Sequence, residues 1–188
     1  MSGIRAIETE YNGYLFRSRL EARWAVFFDN LSVPYIYEPE GFEFDDGVRY
    51  LPDFWLPDQH CWVEIKPPGE WIYHHECELL AEEFDCHFVL YITGNPCPGE
   101  YRIAPYPLAS GLFSTESPWS FALGRRNDRE LWICNDNLGA ICLNPIALDD
   151  DRWPLPDAPR LIGAYRAARR ARFEFGERRS RYRRRLDG

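Results

Sequence analysis

Three side chains in one short stretch have the types and spacing for chemistry: Asp53, Glu64 and Lys66. Arg49–Leu56 and Cys61–Lys66 both read as strands, and Pro57-Asp58-Gln59-His60 between them reads as a four-residue turn. A hairpin closed by that turn pairs Leu56 with Cys61, Trp55 with Trp62, Phe54 with Val63 and Asp53 with Glu64. Side chains alternate along a strand, so Asp53, Glu64 and Lys66 share one face while Phe54, Val63 and Ile65 point to the other, toward apolar packing. Two carboxylates facing each other on adjacent strands repel, at a cost of roughly 0.2–1 kcal/mol. A divalent cation turns that cost into a binding site. Carboxylate oxygens, a strand carbonyl and water suit Mg2+ or Mn2+ better than zinc. Lys66 then stands where it can orient or help deprotonate a water on the metal and stabilise charge on a phosphate. Phosphodiester hydrolysis is the reaction such a set serves. The same residues also admit a purely structural arrangement, with Asp53 at a bend and Glu64 and Lys66 as an exposed ion pair.

The lysine is distinctive in its own right, because the 22 basic residues comprise 21 arginines and Lys66 alone. A compositional bias toward arginine acts at position 66 as well, which singles out an amine there. The elements that position these groups follow from hydrophobic spacing. Ser18–Leu31 reads as an amphipathic helix, with Leu20, Trp24, Phe27, Phe28 and Leu31 on one face and Pro34 beyond its end. Tyr35–Tyr37 and Phe42–Phe44 read as short extended pieces that join the hairpin in an antiparallel meander. A second helix is expected over about Trp71–Phe84, followed by the apolar strand His87–Ile92. The order is helix, three strands, helix, strand, which is an α/β (α+β) class.

Beyond Pro98 the chain is punctuated by Pro105, Pro107 and Pro118, and Trp119–Leu123, Glu130–Asn135 and Ala140–Leu143 read as a small β addition. Leu161–Phe175 reads as a third helix. The organisation expected is a core over 1–97, a loop-rich β extension over 98–151 packed on it, and a helix with an arginine-rich tail over 152–188. A length of 188 residues fits one domain with an extension.

The net charge of −8 conceals an asymmetry. Residues 1–151 carry 10 basic and 26 acidic side chains, whereas residues 152–188 carry 12 basic and 4 acidic ones. Arg178, Arg179, Arg181, Arg183, Arg184 and Arg185, with Tyr182 among them, have the composition of an arm that neutralises phosphates, or of a solvated tail that balances the acidic body. The six scattered cysteines are expected as reduced thiols. His74, His75 and Cys77 lack the paired ligand spacing of a structural zinc site. No run of about 18 apolar residues and no secretion signal is visible, so a cytoplasmic protein without a membrane span is expected.

Pro52-Asp53, ten intervening residues and Glu64-Ile65-Lys66 together resemble the signature of the PD-(D/E)XK nuclease superfamily. The resemblance extends to the element order over residues 14–93, since that superfamily has a restriction-endonuclease-like core of helix, three antiparallel strands, helix and strand. It implies a metal held by Asp53, Glu64 and the Ile65 carbonyl, water positioned by Lys66, and an acidic residue on the first helix, for which Glu21 is the candidate. Phe16-Arg17-Ser18-Arg19-Leu20-Glu21 followed by Tyr37-Glu38-Pro39 is similar to endonucleases of phages and transposons. Ser18-Arg19-Leu20-Glu21 also reads as a capping box, in which the glutamate bonds back to the Ser18 amide.

Around this set, Arg17, Arg19 and Arg23 are placed either to contact the scissile phosphate or to bridge to the acidic body. Glu38 reads as a surface glutamate or as an extra acid near the site, and Trp55, Trp62 and Trp71 as core or, alternatively, as stacking surfaces for bases. The resemblance implies a metal-dependent endonuclease acting on DNA, as a homodimer or within a larger nucleoprotein assembly. Two rival readings are a catalytically silent module of the same fold that binds nucleic acid or a protein, and an acidic protein that mimics DNA toward a basic partner.

Overall fold

A computed structural model describes residues 6–69, 75–84, 86, 88–98, 103–106, 120–123, 130–135, 139–143 and 155–173. Near the N-terminus, β1 (Thr9–Tyr11) and β2 (Tyr14–Phe16) form an antiparallel hairpin that the strand reading above did not anticipate. Its signal was present as Asn12-Gly13. Both residues take positive φ, 48° and 85°, as a two-residue turn matched to strand twist demands.

The first helix, α1 (Arg19–Asn30), starts where the sequence places it, with Ser18 as N-cap accepting from the Glu21 amide. After it come β3 (Ile36–Tyr37), β4 (Phe42–Glu43), β5 (Arg49–Tyr50), β6 (Phe54–Leu56), β7 (Cys61–Lys66), α2 (His75–Glu83), β8 (Phe88–Thr93) and β9 (Ile103–Tyr106). The remaining described elements are β10 (Ser120–Leu123), β11 (Leu131–Asn135), β12 (Gly139–Cys142) and α3 (Pro159–Arg170).

The central sheet has five strands in the order β3-β6-β7-β8-β9. Phe54 pairs with Val63, Trp55 with Trp62 and Leu56 with Cys61, the register set by the four-residue turn. β8 runs parallel to β7, a pairing that needs a crossover, and α2 lies within that connection.

The expected strand Arg49–Leu56 is corrected: it breaks at Leu51–Asp53. β5 turns away to pair with β4 in a separate two-stranded hairpin, while β6 joins the main sheet between β3 and β7. Pro52 is the cause, since it has no N–H to give to a ladder. β9 corrects the loop reading of 103–106. Its Pro105 lies opposite Leu90 on the outermost strand, where a missing donor leaves no neighbouring strand unpaired. Helix α3 begins at Pro159 and ends at Arg170, displaced from the expected Leu161–Phe175. A proline at the first helical position explains the earlier start, because its fixed φ suits the helix and its absent N–H is not needed there.

The two faces of the sheet bury different things. Cys61, Val63 and Ile65 of β7, with Leu90 and Ile92 of β8, face a large cluster that includes Phe16, Trp24, Phe27 and Phe28. Trp62, Val89 and Tyr91 face α2 through Cys77 and Leu80, together with Phe44. The large cluster draws in distant chain: Phe27 packs 5.4 Å from the Phe121 ring and 4.8 Å from that of Tyr165 on α3. Strands β10, β11 and β12 form their own antiparallel sheet, whose Phe121, Leu131 and Ile133 enter that same core. The described residues thus form a mixed α/β structure, and none of their helices is long and apolar enough to cross a membrane.

Truncating Phe27 to alanine removes a fully buried ring at the junction of α1, β10 and α3. Phe27→Ala is expected to lower the unfolding free energy by about 3–5 kcal/mol, measured by urea denaturation.

Candidate active site

The site is built on the place where the ladder between β6 and β7 stops. Lys66 gives its carbonyl to the Gly94 amide at 2.8 Å, so the polar groups of Lys66 point toward β8 and those of Ile65, one residue back, point toward β6. Continuing the observed register puts Pro52 opposite Ile65. A proline cannot donate to the Ile65 carbonyl. The Asp53 side chain takes the other half of the missing pair, its Oδ2 accepting from the Ile65 amide at 2.7 Å. This leaves Asp53 Oδ1 and the Ile65 carbonyl directed toward the same strand edge.

Glu64, on the face that the alternation assigns to it, is paired through Oε1 with the Lys66 ammonium and accepts at Oε2 from the Tyr50 hydroxyl at 3.0 Å. Asp53 and Glu64 are both buried, at 5% and 4% exposure, which excludes the exposed-pair alternative for Glu64. Tyr50 also touches Cys77 Sγ at 3.4 Å and was not singled out from the sequence. Its approach depends on the β4–β5 hairpin, which no local pattern near Glu64 announces.

Glu21 comes to the site from the first turn of α1. Its Oε1 lies 2.5 Å from Ser18 Oγ, and its Oε2 accepts from the Tyr37 hydroxyl at 2.6 Å and the Arg17 amide at 3.1 Å. The capping box is therefore modified, with the glutamate reaching the Arg17 amide rather than that of Ser18. The Glu21 charge is near enough to Asp53 to act on it electrostatically.

Burial is the main cause that raises the Asp53 carboxyl well above the ordinary carboxylate range, and the charges of Glu64 and Glu21 add to it. The Ile65 amide and Lys66 oppose the rise. Glu64 is raised as well, chiefly by burial, against the pull of Lys66 and Tyr50. For Lys66, burial disfavours the charge, yet Glu64 and Asp53 outweigh it and the amine is held as ammonium above its ordinary pKa.

These groups line a cleft of about 1370 Å³. Among the described residues its walls carry the basic side chains Arg17, Arg19, Arg23, Arg49 and Lys66 and the acids Glu21, Asp53, Glu64 and Glu76. Two of these cations are paired with acids beside the cleft, Arg17 with Glu38 and Arg49 with Glu43. Among the described residues no three His, Cys, Asp or Glu side chains gather as a metal cage. The donors that the sequence reading names are all oxygen: Asp53, Glu64 and the Ile65 carbonyl. That set fits Mg2+ or Mn2+, which bind through one or two carboxylates and keep several waters.

Of the remaining candidates, Arg19 lines the cleft, Trp62 is core, and His60 packs against the Trp55 ring at 5.1 Å. The arginines Arg178, Arg179, Arg181, Arg183, Arg184 and Arg185, with His74 and Trp71, lie outside the described residues. No family model, curated protein or solved structure matches the chain.

The buried carboxylates carry a pH signature. An acid whose native pKa exceeds its unfolded value holds its proton more tightly in the fold, so native stability declines as pH rises from about 4 toward the raised native value. Asp53→Asn removes that decline and keeps an oxygen for the Ile65 amide. Urea denaturation in EDTA is expected to show Asp53→Asn more stable than wild type at pH 8, with the gain shrinking at pH 4.

Proposed function

We propose that the chain is a divalent-metal-dependent endonuclease of the PD-(D/E)XK type that hydrolyses DNA. The observation that carries this reading is the Asp53 carboxylate bonded to the Ile65 amide beside the buried Glu64–Lys66 pair, in a cleft that arginines also line. The order of α1, then β3, β6 and β7, then α2 and β8 supports a restriction-endonuclease-like core.

Asp53, Glu64 and the Ile65 carbonyl are the groups that would hold Mg2+ or Mn2+. When bound, the cation supplies Lewis-acid stabilisation of charge on the phosphate and favours ionisation of water. The other roles belong to the chain itself. Lys66, paired with Glu64, orients the nucleophilic water and the phosphate by donating hydrogen bonds. Glu21 secures the backbone at Arg17 and adds negative charge near Asp53, favouring a cation there. Arg19 and its neighbours on the cleft wall offer guanidinium forks to phosphate oxygens.

Cleavage of plasmid, linear duplex, single-stranded and branched DNA and of RNA is the test, run with Mg2+, Mn2+ or EDTA. DNA cutting that needs metal is expected, with the rate reduced by about 10²-fold or more in Glu64→Ala and Lys66→Ala. No cutting of any substrate, or equal cutting by all three proteins, overturns the reading in favour of a silent binding module.

The arginine arm is proposed as a source of sequence-independent affinity. Deleting residues from Arg178 onward is expected to weaken DNA binding and flatten its salt dependence, by about 0.9 in the log–log slope for each phosphate that is no longer neutralised. Filter binding across a salt series reads this, and an unchanged slope removes the arm from the interface.

A further inference from the structure

One ion pair at the rim of the cleft has a cost that core packing does not explain. Glu38, where β3 ends, has a φ of 42°. A side chain with a Cβ is disfavoured there, and glycine or asparagine is the usual occupant. Its amide donates to the Asp53 carbonyl at 2.9 Å, which fixes the backbone but needs no glutamate. The side chain instead pairs with the Arg17 guanidinium.

Arg17 is held from both sides. Its amide donates to Glu21 Oε2 and lies 3.0 Å from the Tyr37 hydroxyl, so its backbone is anchored to the site. Its guanidinium lies 3.8 Å from Asp53 Oδ1, the oxygen left over by the Ile65 amide. With its side chain 57% exposed on the cleft wall, Arg17 is accessible to a polyanion.

We propose that Arg17 is a transferable cation. Glu38 parks it beside Asp53 in the free protein, and it passes to a phosphate of the bound DNA when a divalent cation takes Asp53. The inference rests on the metal-site reading above. Glu38 is then a positioning residue: by drawing the guanidinium toward itself it keeps Arg17 from closing onto Asp53 and competing with the metal. Its anchorage on the Asp53 carbonyl places the parking position one residue's reach from the carboxylate it protects. The ligand class is a phosphodiester, which matches the planar, two-toothed donor pattern of a guanidinium.

Isothermal titration with Mn2+ in the absence of DNA tests the arrangement in the full chain. Glu38→Gln is expected to weaken Mn2+ binding by about tenfold, the lower range for loss of a group that supports a metal ligand. Glu38→Gly separates charge from backbone strain, because glycine is at ease at this φ: it is expected to raise the melting temperature yet weaken Mn2+ binding to the same degree. Arg17→Met added to Glu38→Gln is expected to restore the wild-type Mn2+ affinity. Arg17→Met alone is expected to bind Mn2+ at least as tightly as wild type and to raise KM for DNA by a larger factor than it lowers kcat.

Unchanged Mn2+ affinity in Glu38→Gln, or a weakening that persists after Arg17→Met is added, overturns the role of Glu38 while leaving the metal site standing. Wild-type protein that binds no Mn2+ overturns both.

Discussion

A single missing hydrogen-bond donor organises the site. Pro52 falls at the register position that would otherwise pair with Ile65, and a strand pair cannot continue through it. Had the ladder continued, Asp53 would be one more strand residue, with its backbone pointed into the sheet. Instead the ladder ends, the Asp53 side chain substitutes for backbone on the Ile65 amide, and the preceding residues are released to turn into the β4–β5 hairpin. That hairpin brings the Tyr50 hydroxyl to Glu64. The bond from the Ile65 amide to the first carboxylate and the brace on the second both derive from one residue that lacks an N–H.

Electrostatics set the second condition. Burying Asp53 and Glu64 side by side, with Glu21 close enough to be felt, opposes folding, and the fold offsets it with fixed donors. The offset is incomplete, as the raised carboxyl groups show. A protein arranged only for stability would place amides or apolar residues here. Arg17, Arg19, Arg23 and Arg49 line the same cleft, so guanidinium groups stand near the buried carboxylates.

Much of this was legible in the sequence, for identifiable reasons. The Phe54–Val63, Trp55–Trp62 and Leu56–Cys61 pairs followed from turn length and strand alternation, both of which are local rules. Helix α1 followed from its apolar face and its cap. Glu21 was suggested by resemblance, whereas its bonds to Tyr37 and the Arg17 amide depend on how α1 packs beside β3. The break at Pro52 was misread because the flanking residues are good strand formers. Pro105 misled in the opposite direction, since only topology reveals that its strand is at an edge. Nothing local marks Tyr50 as a partner of Glu64 or Glu38 as a residue in the left-handed region, because both facts arise from contacts between separate elements.

The ring cluster around Phe27 has a temporal consequence. Its partners Phe121 and Tyr165 are encoded far downstream, so α1 leaves the ribosome long before the surfaces that cover it exist. At about 5–20 residues per second, the roughly ninety residues between Phe27 and Phe121 take on the order of 5–20 s to synthesise. During that interval the part of the α1 face that Phe121 and Tyr165 cover stays exposed to water. The packing of this helix is therefore completed only late in translation, when the chain that carries Phe121 and Tyr165 has been made.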